Sequence, residues 1–447
     1  MQTKNDKRTI RAWAFFDWAN SAYNLVITST IFPAYYVAIT ANENNGNHVT
    51  FFGHSFVNTA LSDYVLAAAY LIIALLLPIL TSIADYRGNK RLFMQFFTWL
   101  GAISCGMLYF FEVNDKTNTL ETSMIFFGLA AIGYCGGFVF YNSYLPEIAT
   151  LDKQDDVSAK GFTYGYIGSV ILQLICFAFV LKPQWFGIVD KSFPARLSFL
   201  LVGAWWIGFA FIPFSVLPKG TPNAETQHKN IVRGGFIELG KVWNKVKHMP
   251  VLKRFLSAFF FYSMGVQTIM LVAASFGAKE LHMEQSKLIA TILIIQLVAI
   301  GGATMMSRLS DRYGNIKVLA WVVVIWIGVC VGAYFTQNDT QFFILAGIVG
   351  LVMGGIQSLS RSTYSKFIPQ GINDSASFFS FYDVTEKVAI VGGMFSFGLI
   401  DDLTNSMRNS ALALGSYFIL GLILLLSLLA YQRRNPENIS ESTNNNS

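Results

Sequence analysis

The sequence predicts an all-α integral membrane protein of about twelve transmembrane helices, arranged as two pseudo-symmetric six-helix bundles. Three observations lead to this fold class. Of the 447 residues, 53% are hydrophobic and only 13% charged, roughly half the charge with which a soluble domain hydrates its surface. The apolar residues fall into blocks of about twenty, the length that crosses ~30 Å of hydrocarbon. An internal repeat relates the first half of the chain to the second.

Apolar runs set against polar breaks give spans at 14–39, 62–84, 92–113, 121–143, 160–182, 197–217, 254–277, 287–307, 317–337, 341–360, 376–400 and 411–432. The first is not expected to be a cleavable signal peptide. It outruns a typical apolar signal core, carries Asp17, Asn20 and Asn24, and precedes Asn-rich sequence without a small-x-small cleavage site. With the N-terminus inside, the inner segments hold 24 Lys and Arg and the outer loops 7, while Lys387 stays inside a span. That bias places both termini in the cytoplasm of an expected bacterial inner membrane. The net charge of +6 arises from these loops, so the expected contact is lipid and not nucleic acid.

The longest inner connection, 218–253, divides a 1–217 half from a 254–432 half, and 433–447 reads as a polar, disordered tail. Within the connection, 231–251 has apolar residues near helical spacing with Lys and Arg between them. It fits either an amphipathic helix on an anionic leaflet or a solvated tether. Cys105, Cys135, Cys176 and Cys330 all fall in apolar blocks without metal-type spacing, and none of the five His lies in a span. No metal, cofactor or histidine relay is expected.

After span two comes Asp85-Tyr86-Arg87-Gly88-Asn89-Lys90-Arg91; after span eight comes Asp311-Arg312-Tyr313-Gly314-Asn315-Ile316-Lys317. Tyr141-Asn142-Ser143-Tyr144-Leu145-Pro146-Glu147 after span four is echoed by 364–370 after span ten. Two pairs at nearly one offset make the chain a six-helix unit used twice. In the first pair, Gly88 and Gly314 permit tight reversals. Asp85 and Asp311, with Arg87 and Arg312 beside them, can latch one face shut through a neighbouring helix end. The alternative is a topology signal plus a tight turn.

Asp85-x-x-Gly88 and Asp311-Arg312-x-Gly314 resemble the loop motif of the major facilitator superfamily, and the two-bundle organisation matches that fold. Trp13-Ala14-Phe15-Phe16-Asp17-Trp18-Ala19-Asn20-Ser21-Ala22-Tyr23 resembles the opening signature of its "unknown major facilitator" family, related to the vacuolar amino-acid effluxers of fungal autophagy. The likeness continues through Leu145-Pro146-Glu147, 165–168, 265–269 and 354–362. Thr81 and Ser307 depart from the glycine that opens the loop motif, and Met264 stands where many relatives carry Asp. The resemblance implies release of a small solute, amino acids among the candidates.

Charge inside a membrane usually faces a cavity or a partner. In span one, Asp17, Asn20, Ser21 and Asn24 form one polar stripe at i, i+3, i+4, i+7, either a cavity wall or, for Asp17, an inner-end cap. In span eleven, Asp383, Glu386 and Lys387 lie within two turns. One acid can neutralise Lys387 and leave the other, with Glu386 the first choice, to bind a proton, a cation or a substrate amine; the alternative is a structural ion network. Gln267, Gln296, Gln357 and Arg361 are further cavity candidates, with Arg361 able either to receive a carboxylate or to lock the inner gate. Spans three, six, nine and twelve carry almost no charge and are expected to be lipid-facing supports.

The functional expectation is a monomeric secondary transporter that moves a small polar solute, amino acids being the implied class, by alternating access, with a proton or cation as coupling partner. No G-x-x-x-x-G-K-[ST] loop is present, so direct ATP drive is not expected. The rivals are a facilitator for another metabolite or drug, a membrane enzyme, and a regulatory or structural protein on the same scaffold. The enzyme reading lacks a nucleophile triad or metal cluster.

Overall fold

The computed structural model describes residues 4–41, 47–113, 117–190, 192–219, 231–369 and 374–435. The first half comprises α1 (Lys7–Tyr23), α2 (Ile31–Thr40), α3 (Asn58–Arg87), α4 (Lys90–Met107), α5 (Leu120–Asn142), short α6 (Leu145–Ile148), α7 (Gln154–Leu181) and α8 (Phe193–Val216). A connecting helix α9 (Ile231–Lys247) leads to α10 (Pro250–Glu280), α11 (Gln285–Tyr313), α12 (Asn315–Phe335), α13 (Asp339–Phe367), α14 (Ser375–Thr404) and α15 (Met407–Arg434). Among the described residues, eleven segments are long and apolar enough to cross a membrane. The twelfth crossing helix is α14, 30 residues long, whose Asp383, Glu386 and Lys387 lower its hydropathy.

The first span is not one helix. Asn24–Thr28 forms a π segment between α1 and α2, and the Asn24 carbonyl accepts both the Ser29 backbone N–H (3.1 Å) and the Ser29 hydroxyl (2.9 Å). Hydroxyl groups thus occupy backbone acceptors that a continuous helix would satisfy itself, as interrupted membrane helices require. Beyond α2, β1 (His48–Phe51) pairs antiparallel with β2 (His54–Val57). The sequence reading has no strand here; Phe52 and Gly53, both at positive φ, supply the two-residue reversal of a hairpin.

Packing follows the repeat. In the first half α1 lies against α7 and α8, α3 against α5, and α4 against α5 and α8; in the second, α10 lies against α14 and α15, α11 against α13, and α12 against α13 and α15. The α11–α13 contact is a backbone approach: a Cβ on Gly302 would stand 2.1 Å from the Leu351 carbonyl, and one on Gly354 2.2 Å from that of Ala299. Small residues of this kind let membrane helices close without a hydrophobic drive. Across the halves, α3 meets α14 and α7 meets α11 and α13, the symmetric seams of a two-bundle fold. Thr81 and Ser307 are buried beside these seams.

The stretch after 230 is a helix. α9 packs along α3, buries Val242 and Val246, and ties Lys245 to Asp374 at 2.7 Å, while Phe236, Ile237 and Trp243 remain exposed. The rest of the connection, 220–230, and the tail beyond 435 lie outside the described residues, as does Gln370 of the second echo.

Candidate functional site: a cavity between two halves

A central cavity of about 160 Å³ opens between the halves. Its wall is supplied by α1 and its π segment, α3, α5 and α7 from one half and by α10, α11, α13 and α14 from the other; α4, α8, α12 and α15 contribute nothing. That division agrees with the support role expected for spans three, six, nine and twelve. Asp17, Asn24, Gln267, Gln296, Gln357, Arg361, Glu386 and Lys387 all line the cavity, together with Tyr70, Tyr134, Tyr166, Tyr262 and Tyr382.

Two of the candidates lie elsewhere. Asn20 is buried but off the cavity wall, and neither of its side-chain amide atoms finds a partner among the described residues. The simple i, i+3, i+4 stripe fails at this position because α1 turns that residue toward packed helices. Asp383 also sits behind the wall, fully buried. Met264 lies off the wall too, packed against Gly392 and Gly393 of α14.

At the floor of the cavity Arg361 of α13 crosses into the opposite half. Its Nη1 donates to Asp17 Oδ2 (3.3 Å) and Asn142 Oδ1 (3.1 Å), its Nε to Ser158 Oγ (2.9 Å) and its Nη2 to the Ser158 carbonyl (2.7 Å). Both members of the Asp17–Arg361 pair are 1% exposed. The Tyr141 hydroxyl donates to the same Asp17 oxygen at 2.7 Å, and the guanidinium lies 4.1 Å from the Phe162 ring centroid and 4.9 Å from that of Trp13. A buried charge is tolerated when it is both paired and hydrogen-bonded, and here every partner belongs to the other half. Gly161 makes room for the cluster: a Cβ there would stand 2.6 Å from Tyr141 Oη, 2.8 Å from Arg361 Nη2 and 2.9 Å from Asp17 Oδ2. Ser158 and Gly161 were not singled out from sequence, and Tyr141 and Asn142 entered only as part of the repeat; an unlike pair of intramembrane charges, one per half, was the available signal. Four of the five Arg361 N–H donors are thus taken by groups of the other half.

Below that floor, at the end of the bundle where α1 begins and α15 ends, the two symmetric seams are stitched by polar contacts. Asp85 receives the backbone N–H groups of Ala376 (3.3 Å) and Ser377 (2.7 Å) and the Ser377 hydroxyl (2.7 Å). A carboxylate thus sits on the free N–H groups of the α14 N-terminus, where the helix dipole favours it. Lys90 pairs with Glu147 and donates to Ser375 Oγ at 2.8 Å, so the Leu145-Pro146-Glu147 motif joins the same clamp.

The other seam corrects the expected latch. Asp311 and Arg312 are exposed, and among the described residues the Asp311 side chain makes no hydrogen bond or ion pair. Asp155, in the first turn of α7, takes its place by accepting from Ser310 Oγ (2.9 Å), Asn315 Nδ2 (2.7 Å) and Lys366 Nζ (2.6 Å). The repeat preserves the contact and moves the acid to the opposite side of it. Arg87 is exposed too; Gly88 (φ 62°) and Gly314 (φ 86°) make the expected reversals.

On the opposite wall Lys387 Nζ lies 2.9 Å from Glu386 Oε2 and 3.7 Å from Asp383 Oδ1. Gln267 Nε2 donates to Glu386 Oε1 at 3.0 Å, and the Lys387 ammonium sits 5.9 Å from the Tyr70 ring centroid. Asp383 Oδ2 has no partner among the described residues. Two acids and one base share this patch, whereas Asp17 and Arg361 cancel.

A twelve-helix bundle of two related halves, holding a charged cavity that is pinned shut at one end, is the architecture of a membrane transporter of the major facilitator superfamily. Within it the chain belongs to the family described as "Vacuole effluxer Atg22 like", whose model matches residues 5–154 and 147–438. It is 33% identical over 415 residues to the uncharacterized MFS-type transporter YxiO of Bacillus subtilis, with 93% of each chain covered. It is 25% identical to autophagy-related protein 22 of Kluyveromyces lactis, over 94% of this chain and 92% of that one. Among solved structures, FucP in its outward conformation superposes with a TM-score of 0.69 at 14% identity, covering 94% of this chain and 98% of that one. The proton:xylose symporter XylE does so with 0.69 at 12%, covering 94% and 95%. These last two establish the fold.

Proposed function

We propose that this protein is a secondary active transporter that exports a small polar solute of the amino-acid class by alternating access, coupled to proton movement. The observation that carries the reading is the cavity between the halves, whose floor is a buried lock made wholly across the two-fold seam. A site that both halves build, closed by contacts that only their relative rocking breaks, is what alternating access requires. The ion pairs of the other end, Arg196–Glu112, Lys287–Asp339 and Arg408–Glu280, each stay inside one half. With the termini cytoplasmic, as the Lys and Arg bias expects, the cavity is sealed from the cytoplasm and faces outward.

The amino-acid class draws on the names of the fungal relatives and on the wall itself. Five tyrosines and Glu386 suit an ammonium group, which tyrosine faces attract; among the described residues Gln296 Oε1 is buried without a partner and Gln357 accepts only from Tyr166 (2.7 Å). The residues proposed to touch solute are Asn24, Gln267, Gln296, Gln357 and Glu386, while Asp17, Asp85, Asp155 and Arg361 work the gate. The test is a thermal-shift screen of the purified protein against amino acids and dipeptides at two pH values. A bound solute at a hundred times its Kd stabilises by about 2.7 kcal/mol. An unchanged melting temperature across the amino acids would reject the solute class.

A further inference from the structure

Lys387 stands between two carboxylates and is not shared equally. Its ammonium is 2.9 Å from Glu386 and 3.7 Å from Asp383, so a movement of about an ångström would reverse the preference. The two acids also differ in setting. Glu386 lines the cavity, its side chain 17% exposed, and each of its oxygens already holds one donor, Gln267 Nε2 or Lys387 Nζ. Asp383 is behind the wall with its side chain 2% exposed, and its Oδ2 is met by no donor among the described residues. An ionised carboxylate oxygen left without a donor in a membrane interior is costly. Among the described residues, the groups facing the patch from neighbouring helices bring no charge to offset it: Tyr70 of α3, Tyr134 and Cys135 of α5, and Tyr262 and Gln267 of α10, with Tyr382 on α14 itself.

We propose that Asp383 is the proton site, that Glu386 is the site for the solute's ammonium group, and that Lys387 toggles between them so that proton and solute exclude each other. In the proton-loaded form Asp383 is a neutral acid and Lys387 rests on Glu386, the side on which the ammonium lies here. When Asp383 releases its proton to water, Lys387 moves to the new carboxylate. Glu386 is thereby uncovered toward the cavity and accepts an ammonium group. The charges balance in both forms. Neutral Asp383, anionic Glu386 and cationic Lys387 sum to zero, and so do two anionic acids, cationic Lys387 and one bound ammonium. One proton therefore replaces one ammonium, and the patch formed by the three side chains and the ammonium group is neutral at both stages. Competition at a shared lysine is the signature of an antiporter, so the driving proton enters as the solute leaves. This assignment rests on the exchange cycle proposed above and adds which acid does what.

The test reads the proton directly. Infrared spectra of the protein in nanodiscs, without solute, should contain the carbonyl stretch of a buried protonated carboxyl that titrates with pH. Asp383→Glu, which keeps the charge and lengthens the arm, should move that band; Glu386→Asp should leave it in place; Asp383→Asn should remove it. A band that moves with Glu386→Asp instead, or the lack of any such band down to the pH of unfolding, would overturn the assignment. If Asp383→Glu fails to fold, Asp383→Asn and Glu386→Asp still separate the two acids. L-leucine, added to the wild type, should erase the band, while N-acetyl-L-leucine, which has no ammonium group, should not. Equal erasure by both would overturn the competition. Silence from both would count against the amino-acid class alone, and the variants would still decide where the proton sits.

Discussion

Replacing Asp17 with Asn tests the gate at its centre. The substitution keeps shape and removes one charge, leaving the Arg361 guanidinium buried between Asn142, Ser158 and three aromatic rings. Breaking a buried pair by removing one partner costs about 3–5 kcal/mol. Three of the four hydrogen bonds to Arg361 survive, so the low end applies, about 3 kcal/mol. The cost falls on the closed state alone, because separation of the halves hydrates Arg361. At about 1.4 kcal/mol per decade, the closed-to-open ratio at this end should fall about a hundredfold. The assay is a distance measurement between spin labels at Arg87 and Arg312, exposed positions on opposite halves; the native cysteines are all buried and will not compete for label. Asp17→Asn should shift the distribution to longer separations, and Asp17→Asn with Arg361→Gln should cost less than the two single changes added. A folded Asp17→Asn protein with the wild-type distribution would refute the lock.

The other expectations use the same labels. Gly161→Ala leaves every charge in place but drives a methyl group against Tyr141, Arg361 and Asp17, so it should open the same end as Asp17→Asn does; a closed distribution would mean that the cluster has slack. Asp85→Asn and Asp155→Asn should each bias the gate open by about 1.5–3 kcal/mol, the scale of one charge-assisted hydrogen bond, while solute affinity stays within a few-fold. Asp311→Asn should do neither, and a gating effect as large as that of Asp85→Asn would restore the symmetric latch that the sequence suggests.

Much of the architecture was legible because membrane burial writes itself in composition. The spans, the two-fold repeat and the charge-free supports follow from the apolar blocks, and the charge-bearing helices are those that line the cavity. Pairings were not legible. Asp17 and Arg361 are 344 residues apart, and nothing local says that they meet. Asp155 falls outside the span read at 160–182, yet it replaces Asp311 because a seam between helices can be held by a carboxylate on either side. The break in the first span was hidden as well, since Thr28, Ser29 and Thr30 look like the hydroxyls that an ordinary membrane helix tolerates. Thr30 Oγ1 in fact lies 2.7 Å from the Leu25 carbonyl and 2.8 Å from Gln173 Oε1, a capping role visible only once α7 is in place. Within span eleven the spacing gave the charges, but burial behind the wall separated Asp383 from Glu386.

The central claim is that a solute crosses the membrane through this cavity in exchange for protons, and proteoliposomes test it most directly. With a pH-sensitive dye sealed inside and the best-stabilising amino acid of the screen supplied outside, the account predicts that inward movement of labelled solute alkalinises the lumen as protons leave. Both movements should be lost in Glu386→Gln. A solute that binds and stabilises the protein but never enters the vesicles, or enters without any proton movement, would contradict it.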